Sequence, residues 1–141
     1  MGIGGWLSWC GIAFWGAVLA AHDVRYRRLP DALTLPPALA AVLACAVQPV
    51  LLLGLVWPAL YLLAGRGVGG GDVKLAVPLG VACAAAGGFV AVLAAIVLAG
   101  AFTVLAAALT RQRAVAHGPS MLVAAGAVSL VLPWLATPFG V

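Results

Sequence analysis

Charge is the scarcest commodity in this chain, and its placement limits what the chain can become. The 141 residues hold seven Lys or Arg, three Asp and no Glu, all confined to three short breaks at His22–Asp31, Gly65–Lys74 and Arg111–Gly118. The stretches between are mainly Ala, Val, Leu and Gly. An average globular chain is about a quarter charged; this one is 7% charged, too little to clothe a water-soluble fold. A hydrophobic share of 66% excludes disorder. The chain therefore reads as an all-α polytopic membrane protein, with residues 1–141 forming one membrane-embedded domain.

A helix needs about 20 apolar residues, with a range near 17–25, to cross a hydrocarbon core of about 30 Å. Six spans fit, near 3–21, 32–47, 49–64, 73–86, 88–110 and 119–136. Turns are expected at Gln48-Pro49 and at Gly87-Gly88, where paired glycines permit a sharp reversal. The first span lacks a charged leader and is bulky with Trp6, Trp9, Phe14 and Trp15, so it reads as a retained helix rather than a signal peptide. The fourth, 73–86, is short.

The basic residues test this count independently. Arg25, Arg27 and Arg28 follow span one, Arg66 and Lys74 follow span three, and Arg111 and Arg113 follow span five. The opposite side carries none. By the positive-inside rule both termini lie outside and the three charged loops face the cytoplasm; five or seven spans would scatter the charges over both faces. A pI near 9.5 is thus a topology signal and not a nucleic-acid footprint. Cys10, Cys45 and Cys83 sit in separate spans without CxxC spacing and read as small packing residues.

All three carboxylates fall at the cytoplasmic edge. Asp31, before an apolar helix, suits a structural cap, accepting backbone N–H groups and complementing the helix dipole. Asp23 directly follows the first span, either as a solvated loop residue or as a group held at the interface for a purpose. Asp72 follows Gly67, Gly69 and Gly71, a backbone that admits close approach of chain or substrate. The span it opens covers about 21 Å at 1.5 Å per residue, short of the bilayer core. That sets Asp72 in a protein-lined cleft, where an ionisable group is a candidate functional residue. A phosphate loop is excluded, because Gly71 is followed by Asp and not by Lys-Ser/Thr. Two facing carboxylates suit aspartic-protease chemistry, since like charges in contact share a proton. Asp23 and Asp72 can form such a pair if spans one and four meet at their cytoplasmic ends.

These residues resemble a known family. Gly67-Val68-Gly69-Gly70-Gly71-Asp72-Val73-Lys74-Leu75 is similar to the GxGxGDxKL signature of the type IV prepilin peptidases, membrane aspartic proteases of the GxGD class. Asp23-Val24-Arg25-Tyr26-Arg27-Arg28-Leu29-Pro30-Asp31 resembles that family's first aspartate motif. Gly118-Pro119-Ser120-Met121-Leu122 is similar to its Phe-Gly-Pro-x-Leu segment, with His117 standing in place of Phe. The resemblance implies that Asp23 and Asp72 are the catalytic pair and that Asp31 is a polar cap. Gly67, Gly69, Gly71 and Lys74 would belong to the active-site loop. It further implies a bacterial inner-membrane peptidase that removes the basic leader of a prepilin or pseudopilin at the cytoplasmic face, alongside a pilus or secretion assembly. The zinc-binding CxxC domain of larger members has no counterpart, so the chain looks like the short, peptidase-only form of tight-adherence (Flp/Tad) pilus systems. No metal, no cofactor and no methyl transfer are expected.

The remaining polar residues read more plainly. Arg25, Arg27 and Arg28 suit topology setting and anionic lipid contact, because a basic leader would not be drawn to them. Lys74 stands two residues from Asp72, a spacing that does not face it on a helix, and reads as an interfacial residue. His22 and His117 read as interfacial, without metal-ligand spacing. Ser120 has no triad partners. The contrasting readings are a proton- or cation-coupled carrier and an inactive assembly scaffold. Against the carrier, no inverted repeat is visible and the aspartates lie at one edge rather than at the midplane.

Overall fold

The computed structural model describes residues 3–65, 68–112 and 115–136, with side chains described within 10–65, 68–112 and 115–132. Five α-helices and one 3-10 segment occur in order: α1 (Ile3–Tyr26), α2 (Asp31–Val47), a 3-10 helix (Pro49–Leu55), α3 (Val56–Ala64), α4 (Gly70–Thr110) and α5 (Gly118–Ala136). No strand occurs among the described residues.

The breaks fall near where charge and glycine interrupt the apolar runs, with three differences. α1 continues past the expected end at residue 21 to Tyr26, carrying His22 and Asp23 on its last turns. It closes with Arg27 in a left-handed conformation (φ 51) whose N–H donates to the Asp23 carbonyl at 2.8 Å. The expected span 49–64 opens as a 3-10 helix and turns α-helical only at Val56. α4 begins at Gly70, so Asp72 lies in its first turn rather than ahead of it.

At 41 residues, α4 would be about 62 Å long if straight. It is not straight. Gly87 (φ −163, ψ 26) and Gly88 (φ 62, ψ −149) leave the helical region, and Gly88 adopts a conformation open essentially to glycine alone. Contacts with α5 give the direction of each arm. Cys83 Sγ lies 4.0 Å from the Ala125 carbonyl, Gly87 sits against Leu132, and Thr103 hydrogen-bonds His117. The first arm (70–86) thus climbs along α5 with rising residue number, and the second (89–110) descends it. The reversal expected at Gly87-Gly88 is present.

One apolar core draws on every helix, with Leu19, Trp57, Leu75, Val92 and Met121 fully buried. Small residues bring the elements close. Gly54 and Gly80 lie against one another so tightly that a Cβ on either would overlap the other's backbone. That crossing seats the 3-10 segment on α4. Trp15 Nε1 donates to the Leu33 carbonyl at 2.9 Å and ties α1 to α2.

The outer faces are apolar as well, with Phe14 72%, Val47 81%, Leu63 83% and Leu109 76% exposed. Among the described residues one helix, Gly70–Thr110, is long and apolar enough to cross a membrane; Asp31–Val47, Pro49–Ala64 and Gly118–Leu132 are shorter apolar helices.

Candidate active site

The first aspartate is positioned by two helices. Asp23, on the last turns of α1, is 5% exposed, a burial that a carboxyl tolerates only with a partner. Its partner is the backbone of α5: the Gly118 N–H donates to Asp23 Oδ2 at 2.9 Å. His117 accepts the first intrahelical bond, from Met121 N–H at 3.1 Å, so Gly118 is the first residue inside the helix. Free N–H groups and the positive end of the dipole make such a terminus a ready site for an anion. Asp23 supplies that anion from another helix. Glycine is needed at 118 for space, because a Cβ there would stand 2.7 Å from Asp23 Oδ2.

The second aspartate arrives on the glycine-rich segment. Gly71 packs against Leu29, in the loop that follows α1; an added Cβ would meet Leu29 Cβ at 3.0 Å. This contact draws the segment carrying Asp72 toward the one carrying Asp23. Gly69, extended at φ −67 and ψ 142, precedes the helix and lies against the Asp72 carboxyl. Burial pushes the Asp72 carboxyl up to about 6, with the charge of Asp23 adding to the rise and the Gly69 backbone opposing it. Gly67 lies outside the described residues.

Asp31 and Lys74 are placed otherwise than expected. Pro30, extended at φ −71 and ψ 132, occupies the N-cap of α2, and no side chain caps that end. Asp31 is the first helical residue and forms an ion pair with Lys74 Nζ at 2.6 Å. The expected cap is thus corrected to an exposed tie between the starts of α2 and α4. Proline fixes its own φ and leaves Asp31 inside the helix, where its side chain faces Lys74. Pairs this exposed contribute about 0–1 kcal/mol.

The sequence gives little notice of the third layer. His117 is half-buried between two hydroxyls: Tyr61 Oη lies 2.6 Å from Nε2 and Thr103 Oγ1 lies 2.6 Å from Nδ1. The proton directions are set by Thr103, whose hydroxyl already donates to the Ala99 carbonyl at 2.9 Å. Thr103 must then accept from His117 Nδ1–H, leaving Nε2 to accept the Tyr61 O–H. The ring is neutral in this arrangement. Burial holds His117 below the usual imidazole range, with the Asp23 charge pulling the other way. Trp57 packs edge-on against Tyr61 at 6.3 Å, and its buried indole N–H has no acceptor among the described residues. His117, read from sequence as interfacial, instead links α3, the second arm of α4 and the start of α5 directly beside the Asp23 contact. His22 does lie at the edge, where Nδ1 meets the Arg28 carbonyl at 2.7 Å.

Among the described residues no group of three or more His, Cys, Asp or Glu side chains is placed to hold a metal.

Against known proteins, the model of the type IV leader peptidase family matches residues 10–104, two thirds of the chain and a stretch that includes both aspartates and Tyr61. No curated protein and no solved structure matches the chain.

Proposed function

Because the chain belongs to the type IV leader peptidase family, we propose that it is an aspartic endopeptidase that removes the basic leader of a prepilin or pseudopilin, with Asp23 and Asp72 as its catalytic pair. The observation that most supports this reading is the buried Asp23 seated on the N-terminus of α5, with the segment carrying Asp72 drawn toward it where Gly71 packs on Leu29.

The asymmetry assigns the roles. Asp23 accepts an N–H at the positive end of α5, an arrangement suited to a carboxylate. Asp72, carried upward by burial and by that neighbouring charge, holds a proton below a pH of about 6 and acts as the acid in that form. Asp23 takes a proton from a water, and the resulting hydroxide adds to the scissile carbonyl carbon. Asp72 gives its proton to the carbonyl oxygen. When the tetrahedral adduct collapses, the C–N bond breaks and the proton held by Asp23 passes to the leaving amine. The adduct's hydroxyl returns a proton to Asp72. One water is consumed, giving a leader with a new carboxylate and a mature protein with a new amine.

The proposal includes the setting. Six apolar segments cross a bacterial inner membrane, α4 contributing two through its reversal, with the three cationic loops and both aspartates on the cytoplasmic side. Large apolar side chains exposed on every outer face support a lipid surround. Gly69, beside the Asp72 carboxyl, is proposed to admit an extended peptide, while Gly71 gives its space to Leu29; Gly67 is proposed to belong to the same active-site loop. Partners are the substrate, membrane lipid and a pilus or secretion assembly.

Co-expression with a prepilin tests the reading. Asp23→Asn and Asp72→Asn should each abolish the size shift of the substrate while the protein stays in the membrane. Cleavage surviving in either variant would contradict the assigned pair. Asp31→Asn should cleave normally, since it weakens only an exposed ion pair.

A further inference from the structure

An apolar groove of about 740 Å³ runs between α1, the first arm of α4 and α5, and the chemistry above makes no use of it. Among the described residues α1 packs along α5 but scarcely touches α4, which leaves a wedge of space between them. Its position is informative. One end is bounded by Ala20 and Pro119. Ala20 lies one turn before Asp23 on α1, and Pro119 follows Gly118, whose N–H holds that carboxylate. Among the described residues the lining continues as far as Ile12 and Leu130. At 1.5 Å per residue these limits put the groove's length at about 12–16 Å, leading away from Asp23 into the apolar bundle. It is open at the side, where Ile12 is 57% and Leu130 50% exposed.

The walls are low. Gly16, Ala17, Ala86 and Gly126 line the groove, and small residues of this kind let the backbone of another helix come close in a membrane. A lipid chain would fill the apolar length but would gain nothing from a carboxylate at one end. A substrate whose apolar helix begins next to a scissile peptide fits both the groove and its polar end.

We propose that this groove seats the first two to three helical turns of the substrate that lie beyond the scissile bond. The peptide to be cut then emerges at the Ala20–Pro119 end beside Asp23. The proposal rests on the leader-peptidase reading and adds where the substrate helix binds and what sets the cleaved bond.

Gly126 offers a clean test, because a Cβ there meets nothing within 4 Å. Gly126→Leu and Ala17→Leu should fill the groove without disturbing the aspartates. Each variant is measured on a full-length prepilin and on a soluble peptide that spans the cleavage site but lacks the helix. At least a tenfold rise in KM for the prepilin is expected, with peptide cleavage within about twofold of the unsubstituted protein. Equal losses on both substrates, or no loss on either, would overturn the proposal. A photo-crosslinking residue at position 126, placed in the inactive Asp72→Asn protein, reads occupancy without cleavage. Adducts within the first three turns of the prepilin helix support the proposal, and adducts to lipid or to a second copy alone overturn it. Loss of the parent reading would look different: the unsubstituted protein would cleave neither substrate.

Discussion

At the scale of single residues, the site depends on protons whose positions the hydrogen-bond partners fix. Thr103 is committed to Ala99, so His117 must give its Nδ1 proton to Thr103 and take the Tyr61 proton at Nε2. The three side chains then act as one unit immediately before the Gly118 N–H. His117→Phe and Tyr61→Phe should each slow cleavage, by about three- to tenfold, and the double variant should be no slower than the worse single. Additive losses in such a cycle would show that the two side chains act separately. In the proposed mechanism the pH response is governed by Asp72, which would work as the protonated acid although its ordinary range lies well below neutrality. Raised to about 6, it keeps its proton below that pH and loses it above. Hence kcat/KM, which reports the free enzyme, should fall as pH rises through about 6. A bound substrate excludes further water and raises the carboxyl again, so the alkaline fall in kcat should come at higher pH. A profile in which both fall together would contradict this. Of these residues, the aspartates were legible because carboxylates are so few that each demands a reason. The Gly118 donor was not, since a backbone N–H leaves no side-chain signal. Nor was Tyr61, which meets His117 from 56 positions away.

At the scale of elements, the decisive feature is the reversal inside α4. It was legible because Gly87-Gly88 interrupts an apolar run too long for one crossing, and Gly88 does take a backbone conformation that a Cβ would strain. Gly88→Ala should destabilise the protein by about 1–3 kcal/mol, seen as a lower unfolding temperature in detergent. Gly100→Ala, at a helical position with open space around its Cβ, serves as the control and should cost little. Equal stability of the two variants would argue against the turn. Less was legible where neighbours override local preference. Asp31 has the character of a cap, yet Pro30 holds the N-cap position, and Lys74 from α4 claims the carboxylate. The 3-10 stretch Pro49–Leu55 carries no pattern that separates it from an α-helix. Its conformation accompanies the glycine contact between residues 54 and 80, which only the assembled fold brings together.

At the scale of the whole molecule, two motifs nearly 50 residues apart come to one end of a helical bundle, where Gly71 packs on Leu29. The positions of charge along the chain made that end legible, since the three breaks hold every Lys, Arg and Asp. The carrier alternative predicts aspartates near the middle of the bilayer; the peptidase reading needs them together at its inner edge, open to water. The most direct test replaces Asp23 and Asp72 with cysteine in a protein whose Cys10, Cys45 and Cys83 have been changed to Ala. Any modification of the two new thiols by a membrane-impermeant reagent should come only from the cytoplasmic side, and a short bifunctional thiol reagent should join them within one chain. Modification of the two thiols from opposite sides of the membrane, with no such cross-link, would contradict the account.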